Sequence, residues 1–179
     1  MDKTHALLYN NINKNNSRKN GNEVKRMNEI YDFFIAGRTR NKEQVLKICT
    51  IFDQLHLSYY CWLKNEQSNQ EAGLNLNDDP EELMQKFEKM TLTSKEVQTI
   101  FQHDLEGEKK SKNFLLVLPA GKSAHIEAGI AYGLGKKCYA IGEYDVTDSL
   151  YLIFDRIFAN EKELIEFLEK KVGETDEKD

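Results

Sequence analysis

Glu127 is the residue of this chain best placed to do chemistry. It lies in the stretch FLLVLPAGKSAHIEAGIAYGLGKK, residues 114–137, where an apolar run stops at Pro119 and a charge then enters among Ala, Ile and Gly. A carboxylate held at the edge of a cleft can attack the anomeric carbon of a sugar, form a glycosyl ester and yield it to water or another acceptor. Ser123 reads as the N-cap of the following helix, which makes Glu127 the fourth helical residue, near the free N–H groups and the positive dipole end. Both favour the ionised form. The same placement suits a Glu that only matches the helix dipole, so the pattern leaves both readings open. Ile126, Ile130 and Leu134 recur every four residues and are expected to face the sheet, with Gly129 and Gly133 forming a strip for close backbone approach.

Other candidates surround this segment. The PAGKS loop, with Gly121, Lys122, Ser123 and an exposed helix N-terminus, could bind an anion such as a 5′-phosphate, although it lacks the GxxxxGK[ST] spacing. A plain cap at Ser123 and a solvated Lys122 are the simpler alternatives. Arg38 and Arg40 follow the first expected strand and read equally as phosphate partners or surface charges. Trp62, after the second strand, suits either base stacking or packing. His125 suits either an acid acting near neutral pH or a helix-terminus residue.

Composition narrows the class. In 179 residues, hydrophobic side chains make up 40% and charged ones 31%, enough for one domain with a sizeable core. The net charge of −5 gives no global pull toward nucleic acid or an anionic membrane. Cys49, Cys61 and Cys138 are odd in number and far apart, and neither they nor the four histidines show metal-ligand spacing. These features point to a reduced, cytoplasmic setting with no metal and no disulfide framework. Apolar runs are too short for a membrane span, and the start MDKTHALLYNN lacks a signal-peptide core.

The elements that must position these residues are legible as an alternation. Residues 1–28 read as a disordered Asn/Lys-rich leader, 29–172 as a single domain and 173–179 as an acidic tail. Strands are expected at residues 30–36, 57–62, 114–118, 137–141 and 156–158. Helices are expected at 41–55, from the Asp79-Pro80 start, from a Thr93/Glu96 capping box, at 123–134 with Gly135 as its stop, and at 160–172 behind Asn160. The Asn- and Gln-rich stretch 64–77 reads as a surface loop. This order predicts an α/β, flavodoxin-like or Rossmann-like open parallel sheet of about five strands with helices on both faces. Ligands of such sheets bind outside the carboxyl ends of the strands, a rim that holds Gly37, Arg38, Trp62 and residues 119–123.

FFIAG at the first strand, HDLEG before the third and above all SAHIEAGIAYGLGKK resemble the nucleoside 2-deoxyribosyltransferase-like superfamily, which includes nucleotide N-glycosidases. The resemblance spans residues 30–168 and rests on a small-x-E-x-G-x-A-x-x-x-GK spacing carried by several residues at once. It implies that Glu127 is the nucleophile taking the deoxyribosyl group, that Asp104 helps to hold the sugar and that Gly37 lines the base site. Taken without the resemblance, Asp104 reads as a solvated helix carboxylate. The resemblance further implies homodimers or larger homo-oligomers whose sites a neighbouring subunit completes, and no cofactor. Two departures stand out: Gly121 occupies a position where transferases of the family often carry an acid near the base, and Lys112-Asn113 replace an acid before the third strand. Either His125, Asp145 or a partner subunit then protonates the base, or the chemistry is weak or lost. Ser123 resembles the phosphate-accepting loop of the nucleotide hydrolases. The expected activity is cleavage or transfer at the N-glycosidic bond of a (deoxy)nucleoside or nucleoside 5′-monophosphate. The alternatives are a non-catalytic nucleotide sensor of the same fold and an NAD-type glycohydrolase.

Overall fold

The computed structural model describes residues 30–75, 78–144 and 148–176. The expected leader and Asp145 lie outside these described residues. Five strands, β1 (Tyr31–Ala36), β2 (Tyr59–Tyr60), β3 (Ser111–Val117), β4 (Lys137–Ile141) and β5 (Arg156–Phe158), form one sheet in the order β2-β1-β3-β4-β5. Every pairing is parallel, with Ala36 opposite Leu116 and Val117 opposite Ile141. The helices are α1 (Lys42–Gln54), α2 (Glu66–Glu71), α3 (Pro80–Lys89), α4 (Lys95–Lys109), α5 (Lys122–Gly133) and α6 (Glu161–Asp176). The expected open α/β sheet is the observed architecture.

Strand alternation divides the core between two faces. Phe33 and Ile35 of β1, with Leu115 and Val117 of β3, pack among Val45, Ile48 and Phe52 of α1 and Leu164 and Leu168 of α6. On the other face Phe34, Phe114 and Leu116 meet Tyr60 and the alanines of α5. Phe34 stacks between Tyr60 and Phe114, at ring-centroid distances of 5.2 and 5.8 Å.

Local signals explain most boundaries. Asp79 Oδ1 accepts the Glu81 N–H at 2.8 Å and caps α3, and Asn160 Oδ1 accepts the Glu163 N–H at 3.1 Å at the start of α6. Gly135 has φ of 75° and closes α5 in a Schellman motif, with Lys136 N–H on Ala131 O and Gly135 N–H on Tyr132 O.

Several expectations are corrected. The stretch 64–77 is not all loop, because Asn65 accepts the Ser68 N–H at 3.1 Å and starts α2. The Thr93 box does not form: Ser94 is the N-cap of α4, and the Thr93 hydroxyl pairs with that of Thr91. Strand β2 is only two residues long, and α6 runs to Asp176, into the expected acidic tail.

Candidate functional site: a carboxyl cluster between two helices

Helix α5 begins two residues earlier than its sequence suggests. Gly121 is the N-cap and Lys122 the first helical residue, so Ser123 is an exposed first-turn residue and Glu127 is the sixth position. The dipole effect fades within the first turn, and Glu127 lies beyond it. The helix is also rotated from expectation. Ala124, Ala128 and Ala131 are buried on the sheet, whereas Ile126 is 64% and Leu134 48% exposed. The isoleucine period marks the outer face, and a Cβ on Gly129 or Gly133 would meet nothing.

This rotation turns Glu127 toward α4, which lies beside α5 on the same face of the sheet. Helix α4 brings Asp104 and, one turn later, Glu108 to the same seam. Gly107 makes the approach possible, since a Cβ there would lie 2.5 Å from the Tyr60 ring. The Tyr60 hydroxyl donates to Asp104 Oδ1 at 2.8 Å and accepts from Asn65 Nδ2 at 3.0 Å. Asn65 thus links the start of α2 to the site.

Burial dominates the electrostatics of all three carboxyls. It raises Asp104 to about 6, against the favourable Tyr60 hydrogen bond and the nearby His103. It raises Glu108 to about 7, against Lys136 and an Ala131 backbone contact and together with Asp104. Glu127 is pushed well above the usual carboxyl range by burial, then by Asp104 and Glu108. Near neutral pH charge therefore falls first on Asp104 and in part on Glu108, and burial with these like charges opposes ionisation of Glu127. Desolvation and like charge thus work against the ionised form expected of Glu127. No ion pair among the described residues engages it.

The rim residues fall into two groups. Arg38 and Gly121 are neighbours, since a Cβ on Gly121 would lie 3.6 Å from Arg38 Cβ. With exposed Lys122 and Ser123 they surround the start of α5, whose N-cap supplies no side-chain hydrogen bond. Asn41 Nδ2 ties this loop down by donating to Leu118 O at 3.2 Å and Pro119 O at 3.3 Å. Arg40 points elsewhere, in a fork with both Glu81 oxygens at 2.7 and 3.0 Å.

Three further expected site residues have the following surroundings. Gly37 is required by α1 packing, because a Cβ there would meet Val45 Cγ2 at 2.4 Å. Trp62 packs against the α1/α6 side of the core, opposite the carboxyl cluster. His125 has both ring nitrogens engaged, Nδ1 on Gly121 O at 2.8 Å and Nε2 on the Tyr151 hydroxyl at 3.0 Å. The carbonyl only accepts, so Nδ1 carries a proton. Asn113 stands near the amino end of β3, donating to Asp32 O at 2.9 Å and accepting from Lys171 at 3.3 Å.

Sequence reasoning missed Glu108 and Tyr60. The signal for Glu108 was present as an Asp and a Glu four apart, on either side of Gly107, within HDLEGE. A hollow of about 530 Å³ is lined by residues including Glu71, Leu92, Phe101 and His103 near the start of α4, and neither Glu127 nor Asp104 lines it. No group of three His, Cys, Asp or Glu suited to a metal ion occurs among the described residues, and no described helix is long and apolar enough to cross a membrane. No protein-family model matches this chain, and no curated protein matches it.

Proposed function

We propose that this chain cleaves or transfers at the N-glycosidic bond of a (deoxy)nucleoside or nucleoside 5′-monophosphate, with Glu127 as the nucleophile. The convergence of Glu127 and Asp104 on one inter-helix seam carries the reading, since these side chains come from segments 23 residues apart in sequence. A carboxyl pair with raised and separated pKa values can divide proton-holding and anionic roles between its members. Developing positive charge on the sugar would lower the proton affinity of Glu127, so that its oxygen becomes nucleophilic as the bond to the base lengthens. Asp104, held by Tyr60, is the anionic partner and a ligand for sugar hydroxyls. Arg38, Lys122, Ser123 and the uncapped start of α5 suit a 5′-phosphate. Water as acceptor gives hydrolysis, and a second base gives exchange.

The nucleotide-sensor reading keeps one observation in its favour: Gly121 and the engaged His125 leave the departing base without an obvious acid at the rim. The test is incubation with nucleosides, deoxynucleoside monophosphates and NAD, with released base measured by chromatography. The expected result is base release by the native chain that is abolished in Glu127→Ala. Release that persists in Glu127→Ala removes the mechanism, and tight binding without release in either protein establishes the sensor. Release from NAD alone would move the substrate class to dinucleotides.

A further inference from the structure

We propose that Glu108 is a positioning residue for the reaction at Glu127, a carboxyl walled in behind the seam that keeps the Glu127 proton in place until the leaving base takes it. The inference rests on the glycosidic reading above. Its first support is geometric. Glu108 is only 1% exposed, and its Oε1 has no hydrogen-bond partner. An unpartnered buried carboxyl oxygen is costly and calls for a reason other than packing. Glu108 follows Gly107, whose missing side chain lets α4 close on Tyr60, so its depth is built into the helix contact.

The groups around it come from each neighbouring element. Asp104 lies one turn back on α4, Glu127 faces it from α5, Lys136 follows α5, and Cys138 belongs to β4. Lys136 donates to the carbonyls of Lys109 and Ser111, which fixes its cation at this end of α4. Lys136 sustains partial charge on Glu108. That charge in turn opposes proton loss from Glu127.

The proton balance also supplies what the rim lacks. The Glu127 oxygen bonds to the anomeric carbon, the bond from that carbon to the base nitrogen breaks, and the Glu127 proton ends on the base. Water then attacks the anomeric carbon, places its hydroxyl there and returns a proton to Glu127. No further acid is consumed, so glycine at position 121 is compatible with turnover.

The experiment follows the Glu127 carboxyl by carbon NMR titration in the full chain, assigned with Glu127→Gln, alongside the pH profile of base release. Glu108→Gln is expected to lower the Glu127 midpoint by about one pH unit or more, a tenfold change in proton affinity. The alkaline limb of base release should fall by the same amount, with little change in KM. Glu108→Met, which removes the orphan oxygen without requiring a new hydrogen bond, should give the same displacement and covers the case in which Gln misfolds. An unchanged midpoint in the folded variants overturns the inference. A displaced midpoint with an unmoved pH profile overturns its catalytic part. Native protein that releases no base sinks the glycosidic reading instead, a result read separately from the titration.

Discussion

The Tyr60 hydroxyl donates to Asp104 Oδ1 across 2.8 Å, from the edge strand β2 to the middle of α4. This bond stabilises the charged carboxylate, opposing the burial that raises Asp104 to about 6. Tyr60→Phe should therefore move Asp104 further upward in a carbon NMR titration and cost about 1 kcal/mol in denaturant unfolding. An Asp104 midpoint that stays put or falls would show that the hydroxyl does not control it.

Stability should pass through a maximum on the acid side of neutrality. Asp104 is raised from 3.8 to about 6, and Glu108 from 4.5 to about 7, so the fold binds their protons more tightly than the unfolded chain does. Stability present below the unfolded values is lost as pH rises through the folded ones, on the order of 3 kcal/mol for either group alone. Glu161 has the opposite sign. Lys47 and Gln44 hold it down at about 2, so its contribution is present above 4.5 and lost as pH falls. Thermal melts from pH 3 to 9 should peak at about pH 4–5. Glu127→Gln should raise Tm at pH 8 more than at pH 4.5, because it removes a group whose ionisation the fold opposes.

Gly107→Ala should disturb both fold and site. The added methyl would lie 2.5 Å from the Tyr60 ring, so α4 must lift or the ring must turn. Overpacking of this kind costs about 1–3 kcal/mol. The Asp104 titration should shift together with the loss of Tm, whereas a drop in Tm alone would separate packing from the Tyr60 contact.

The two rim arginines should behave differently toward phosphate. Arg38 is exposed beside Gly121 at the start of α5, while Arg40 is held by both oxygens of Glu81. Arg38→Gln should raise KM for nucleoside monophosphates by about tenfold, one charge-assisted contact, and leave nucleosides unaffected. Arg40→Gln should change neither. Equal effects on phosphorylated and unphosphorylated substrates would remove Arg38 from the proposed phosphate site.

The sheet was legible because central parallel strands are continuous apolar runs, as in Phe114 to Leu118, and because Pro80, Gly135 and Asn160 punctuate the helices. The orientation of α5 was not. Ile126, Ile130 and Leu134 form a stronger apolar period than Ala124, Ala128 and Ala131, yet only methyl-sized groups occupy its sheet-facing side. That period names the wrong face of α5 as the buried one. Placing the cap at Ser123 instead of Gly121 then credited Glu127 with a dipole it barely feels. Its upward shift comes first from burial and then from Asp104 and Glu108, which only the tertiary contact of two helices brings near. Trp62 shows the same limit: a strand-end aromatic does not say which face it will join.

The alanines of α5 that face the sheet act as a depth gauge for the Glu127 carboxyl. Three methyls, on Ala124, Ala128 and Ala131, set how near the helix rides to the strands, and hence how far the longer arm of Glu127 sinks beside its neighbour. Thickening any of these shims should raise the acid toward open water and weaken its hold on hydrogen ions. The setting of this carboxyl is thus calibrated by the smallest side chains on its floor.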